Sequence, residues 1–306
     1  MQLNLNNALV RLVFFGNYFY GICAVALAIE ASFQQEHPLN SLLYYIATFA
    51  ATVLYYTKAY ITDGKSVPDP TNRRSVWYAH HPKLVWWGQV IFTMVVLAFA
   101  LYTVLNYWPH IMALSVIQWG LIFVFPVVAA LYYGLENGLF FKFNLRNIGW
   151  LKPFVIGFTW AGMINVYPLL YLQLQRGINY DFTWVGFFLF IKNMMYVSVL
   201  CIMFDIKDYA QDYNHRLKTF VVKVGLRKTI FSIIIPLTLI GFGSFLVVAF
   251  VRDFSIWRIL INTIPFLSLI AVAYSLSQRK NIFYYLVIID GLMLLKAVCG
   301  SVAMLF

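Results

Sequence analysis

Residues 184–212 read "WVGFFLFIKNMMYVSVLCIMFDIKDYAQD". Positions 184–204 form an almost unbroken apolar run, long enough to cross the ~30 Å hydrocarbon core of a bilayer as a helix. Asp205, Asp208 and Asp212 follow it at once, three of only 11 acidic residues in the chain.

Runs of similar length lie at 8–29, 41–61, 84–107, 113–133, 153–172, 229–251, 259–276 and 282–305. With 62% hydrophobic and 11% charged residues over 306 positions, the composition is far from that of soluble domains. The expected architecture is an all-α integral membrane bundle of about nine transmembrane helices, one domain spanning 1–306. The first run is too long for a removable signal peptide, and no clear small-residue cleavage site follows it. Cys23, Cys201 and Cys299 all fall within apolar runs, which predicts packing residues rather than disulfides or a metal site.

The net charge of +11 is distributed by topology. With the amino terminus in the cytoplasm, 17 of the 22 basic residues fall on the cytoplasmic side, and Arg176, Arg252 and Arg258 lie opposite. The carboxyl terminus is then expected outside, and the basic excess to meet anionic lipid headgroups of the bilayer. No nucleic-acid partner is expected. Two enlarged cytoplasmic loops, about 58–83 and 205–228, concentrate the chemistry on one face. Asn17, Gln118, Lys192, Asn193, Asn262, Asp290 and Lys296 interrupt the apolar runs; polar groups at that depth face a bundle interior or a wet cavity.

On a helix continuing past residue 204, Asp205, Asp208 and Asp212 share one face at i, i+3 and i+7. Carboxylates so placed repel one another unless a cation neutralises them. Oxygen ligands alone suit Mg²⁺, which takes one or two carboxylates together with water and phosphate oxygens. Lys207, His215, Arg216 and Lys218 follow closely, and Arg73 and Arg74 lie on the same side, as contacts to a phosphorylated ligand would. The competing reading is a solvated helix end whose acids pair with local bases.

The stretch "DIKDYAQDYNHRLKTFVVKVG", 205–225, resembles the second aspartate motif of the UbiA superfamily of intramembrane prenyltransferases, a DxxDxxxD-like pattern followed by a basic, Lys-Thr-containing segment and a Gly. "LRNIGWLKPFVIGFTW", 145–160, resembles the opening of that family's fifth helix, and the two enlarged loops match as well. The resemblance implies Mg²⁺ held by two aspartate motifs, here Asp205, Asp208, Asp212 and Asp63, binding the diphosphate of an isoprenoid donor. Arg73, Arg74, Lys152 and Lys207 become candidate diphosphate contacts, and Asn17 and Lys58 candidate cavity residues.

The first motif departs from the family pattern, near NDxxDxxxD. In "YYTKAYITD", 55–63, Tyr55 and Tyr56 replace the Asn-Asp pair, Ala59 replaces the middle Asp, and only Asp63 remains. Two readings stay open. One is a prenyltransferase with an altered metal set that transfers an isoprenyl group to a hydrophobic acceptor, for which an aromatic ring is one candidate. The other is a non-catalytic relative that binds a lipid phosphate or a protein partner. A transporter relaying charge through Lys192, Asp290 and Lys296 leaves the acidic cluster unexplained.

Overall fold

The computed structural model describes residues 8–62, 73–133, 148–180, 183–214, 217–278 and 280–306, and these contain helices and no strand. The predicted runs all lie in helix. The first is shared by α1 (Ala8–Phe15) and α2 (Tyr18–Gln34), bent by 59°. Then come α3 (Leu42–Thr62), α4 (Arg73–His80), α5 (Pro82–Met112) and α6 (Val116–Tyr133). The remainder are α7 (Lys152–Arg176), α8 (Trp184–Lys207), the short α9 (Tyr209–Asn214) and α10 (Phe220–Val224), α11 (Leu226–Val251), α12 (Ile256–Ser275) and α13 (Tyr284–Ala303). Among the described residues six helices are long and apolar enough to cross a membrane singly, and a seventh if α1 and α2 make one span. The expected count of about nine is not reached by this measure: α6 is apolar but short, and α3 closes on the polar-leaning "TKAYIT".

The chain forms two compact units, one of Met1–Ala26 and Asn40–Met112, the other of Leu27–Leu39 and Ala113–Phe306. In the first, α3 packs on α5, and α4 packs against both. The α1–α2 bend is made at Asn17, whose φ of 66° is left-handed, a region Asn tolerates better than most residues. Ending α1 there leaves the Phe15 carbonyl without a helical partner. Arg74 Nε (3.1 Å) and the Tyr78 hydroxyl (3.0 Å) both donate to it. Asn17 itself is fully buried, donating to Thr57 Oγ1 at 3.1 Å and Tyr78 OH at 3.0 Å while accepting from Arg74.

In the second unit α8 is central, packed along α7 and α11, while α12 pairs with α13. Three of its helices contain a wide π turn: Gly162–Val166 in α7, Ile230–Ile234 in α11 and Tyr284–Ile289 in α13. Pro168 and Pro236 stand two residues after the first two turns. A proline donates no backbone hydrogen bond and crowds the preceding turn, so a widened turn accommodates it.

The core of this unit is charged as well as apolar. Glu30, on the final turns of α2, is fully buried between Lys192 of α8 (3.0 Å to Oε1) and Lys296 of α13 (2.5 Å to Oε2). Lys192 also donates to Gln34, and Gln34 Nε2 donates to Asn262 Oδ1 at 2.9 Å. The two ammonium groups lie over the rings of Phe245 and Tyr196, 6.0 and 5.6 Å from the ring centroids. Asn193 donates to Asn165 Oδ1 at 3.0 Å. Lys192, Asn193, Asn262 and Lys296, polar positions anticipated from the sequence, are thus hydrogen-bonded in the interior of this unit. Gln118 differs: it caps the start of α6, exchanging bonds with Ser115, rather than interrupting a span.

Candidate functional site at the end of α8

Helix α8 starts at an N-cap, Thr183, whose hydroxyl accepts from the Gly186 amide at 3.2 Å. It ends at Asp208, where the backbone turns to φ −88°, ψ 7°. The chain restarts as α9, so the single helical face expected for the three aspartates is interrupted at the middle one. Asp205 and Asp212 are buried, whereas Asp208 is half-exposed and paired with Lys207 at 3.1 Å.

Asp205 is the centre of the site. Its side chain is wholly buried, and Lys152 Nζ, from the first turn of α7, sits 2.7 Å from Oδ1. Its Oδ2 is buried with no hydrogen-bond partner among the described residues. A buried carboxylate normally has its remaining lone pairs satisfied, so this oxygen is an exception that asks for a ligand. Asp208 and Asp212 lie within electrostatic reach of Asp205, and Asp212 within reach of Lys152. Among the described residues no three His, Cys, Asp or Glu side chains converge as a ready-made metal cage.

Residues 217–219 pack back onto the chain on both sides of the site's helices. Leu217 donates its amide to the Asp212 carbonyl at 2.9 Å. Thr219, extended at φ −68°, ψ 164°, precedes α10 and is buried, with its hydroxyl lacking a partner among the described residues. Gly149 makes this packing feasible. A Cβ there would overlap the Lys218 carbonyl carbon and the Thr219 nitrogen, so any side chain would push the segment away.

The remaining candidates lie in the other unit or outside the described residues. Arg74 is buried and bonded to Phe15 and Asn17, and Asn17 to Thr57, Tyr78 and Arg74. Arg73 is exposed at the start of α4, and Lys58 is exposed near the end of α3. At the altered first motif, Tyr56 stacks on Tyr20 with centroids 4.6 Å apart, and Tyr55 meets Tyr56 edge-on at 5.6 Å. Asp63 lies outside the described residues. The structure thus brings together Asp205, Asp208, Asp212, Lys152 and Lys207 at the end of α8, and sets Asn17 and Arg74 together elsewhere.

Sequence reasoning missed three residues. Thr219 gives no signal as a neutral hydroxyl, although it lies in the basic Lys-Thr-containing segment. Gly149 lies in the stretch 145–160, where a glycine alone does not disclose what packs against it. Glu30 stands one position beyond the first apolar run, where hydropathy gives no reason to place it in the interior.

No family model matches the sequence, and no curated protein matches it. In fold, the chain is similar to a solved structure described as a digeranylgeranylglyceryl phosphate synthase in membranes. The match has a TM-score of 0.59 at 12% sequence identity and covers 97% of this chain and 98% of the other. That neighbour is a UbiA-superfamily membrane prenyltransferase. At 12% identity the likeness is one of fold: this chain shares the helical fold of that membrane synthase over almost its whole length.

Proposed function

We propose that this protein binds an isoprenoid diphosphate at the end of α8 and transfers its isoprenyl group to a hydrophobic acceptor within the membrane, with Mg²⁺ as cofactor. The observation that carries this is Asp205 Oδ2, a buried carboxylate oxygen without a hydrogen-bond partner among the described residues. The donor set fits Mg²⁺, which takes oxygen ligands and needs only one or two carboxylates beside water and phosphate oxygens. Asp205, Asp208 and Asp212 would hold it. When bound, the ion neutralises diphosphate charge and so eases departure of that group.

The chain's own residues divide the remaining work. Lys152 fixes the orientation of Asp205 through Oδ1, leaving Oδ2 to face the ligand. Lys207, half-exposed beside Asp208, contacts the diphosphate as a point charge. In the reaction the allylic C–O bond breaks with its electron pair leaving on the diphosphate. The acceptor forms the new bond to carbon and loses a proton. The surrounding apolar helices exclude water, which would otherwise capture the carbon centre. The amino terminus and the α8 end are assigned to the cytoplasmic side on the distribution of basic residues.

A second reading has its own support. Tyr56 stacked on Tyr20 replaces the carboxylates of a first metal motif, and a neutral phenol is a poor Mg²⁺ ligand. On this reading the α8 site binds a lipid phosphate without turnover. The deciding experiment is Mg²⁺-dependent diphosphate release from a geranylgeranyl-type diphosphate by purified protein, with a membrane lipid extract as acceptor source and Asp208→Asn in parallel. Release by the wild type alone supports the enzyme. Tight Mg²⁺-dependent binding without release supports the binding protein. Binding unchanged in Asp208→Asn overturns the site.

A further inference from the structure

Between Asp69 and Glu136 the chain has no acidic residue, yet it carries Arg73, Arg74, His80, His81 and Lys83 within a short span. The structure sorts these by direction. Helix α4 buries Arg74, Trp77 and Tyr78 on its inner side. Arg73, His80, His81 and Lys83 are exposed along α4 and the first turn of α5, a strip about 12 Å long over α4 alone. Neither Arg73 nor Lys83 makes an ion pair among the described residues. Trp86 and Trp87, each 58% exposed, follow one turn later. Beyond them the apolar window of α5 has no residue buried inside the protein.

The two histidines are held in a defined pose. His80 Nδ1 lies 2.7 Å from the Val76 carbonyl and His81 Nδ1 2.9 Å from the Trp77 carbonyl. A carbonyl only accepts, so each Nδ1 carries the hydrogen and donates, and Nε2 is the nitrogen left for another partner. His81 is further fixed by stacking on Trp77, with centroids 4.8 Å apart.

We propose that the corner between α4 and α5 is a headgroup-binding strip for an anionic phospholipid. Arg73 and Lys83 take the phosphate, and the Nε2 atoms of His80 and His81 accept from headgroup hydroxyl or ammonium donors. Trp86 and Trp87 sit at the interface, where amphipathic rings are favoured, and acyl chains cover α5 below. Charge complementarity selects this occupant: cations with no ion pair among the described residues and an aromatic pair stand at the top of a helix face with no residue buried inside the protein. The assignment gives Arg73 to the bilayer, and it stands whether or not the α8 site turns over substrate.

The test uses the full chain in nanodiscs of phosphatidylcholine with and without phosphatidylglycerol, reading retained lipid by native mass spectrometry. Phosphatidylglycerol is expected to be retained over phosphatidylcholine. Arg73→Gln/Lys83→Gln should weaken that retention about 25-fold, roughly five-fold per cation at the membrane surface. Equal retention by the double variant overturns the proposal. Displacement by inorganic phosphate at comparable concentration also overturns it, as that would mark a phosphate site rather than a lipid one. A readout independent of the charge variants is quenching of tryptophan fluorescence by brominated phosphatidylglycerol. Trp86→Phe/Trp87→Phe should remove a large share of it, and unchanged quenching counts against the strip.

Discussion

Among the described residues of the second unit two carboxylates are wholly buried, Glu30 and Asp205, and they are used in opposite ways. Glu30 has a lysine on each oxygen, at 3.0 and 2.5 Å, and its contacts are closed. Asp205 has one lysine on Oδ1, and its Oδ2 has no hydrogen-bond partner among the described residues. Lys192 and Lys296 are themselves buried, whereas Lys152 keeps 24% of its side chain exposed. A saturated buried ion set fixes helices in place. A half-satisfied carboxylate next to a partly solvated lysine is arranged to take something else.

The comparison is broken most directly by neutralising each acid without changing its shape. Glu30→Gln strands two buried lysines and should cost ~3–5 kcal/mol in thermal or chemical unfolding of the detergent-solubilised protein. Asp205→Asn leaves Lys152 free to turn towards solvent, and its cost should be about 1 kcal/mol or less. The same Asp205 variant should lose Mg²⁺-dependent donor binding, which Glu30→Gln, where folded, retains. Equal destabilisation by the two variants would erase the distinction.

Gly300 sharpens it. It lies one turn beyond Lys296, and a Cβ there would overlap the Glu30 carboxyl group. Gly300→Ala should therefore cost ~1–3 kcal/mol by overpacking, with donor binding per folded molecule unchanged. A neutral outcome would mean the Glu30 set can shift without loss.

The smallest effect lies at His37, in the turn after α2. Burial first, and the Arg252 charge second, hold its imidazole below the ordinary histidine range, with Glu36 opposing them. The unfolded chain then binds more protons than the folded one, so stability rises with pH up to the ordinary histidine range and falls on acidification through the lowered value. His37→Gln should flatten the unfolding temperature between about pH 5 and 7. An unchanged pH slope would remove His37 as its source.

The sequence disclosed some of this and concealed the rest for definable reasons. Every long apolar run became helix, because ~20 residues without charge have few other ways to satisfy their backbone in lipid. Asp205 was visible as an acid at the end of such a run. Glu30 was not, because reading by hydropathy stops at the first charge, while α2 continues to Gln34 on the strength of ion pairs made by residues 162 and 266 positions away. Local spacing also promised one face for the three aspartates, and the turn at Asp208 defeats that by reorienting the backbone. The loss of the first acidic motif was legible at Tyr55, Tyr56 and Ala59, but the stacking of Tyr56 on Tyr20 was not.

The wide turn at Tyr284–Ile289 carries a last consequence, concerning length variation in this chain. A π turn holds one residue more than its α-helical equivalent, and one residue is about 100° of rotation. Deleting a single position from 284–289 would therefore restore a regular helix and leave everything after it in phase, with Lys296 and Gly300 still facing Glu30. Deleting a single position between 291 and 295, in the regular helix, would instead swing both by that angle. Among related sequences, a one-residue gap at the wide turn is expected to keep the lysine, and a gap just after it to travel with the lysine's loss.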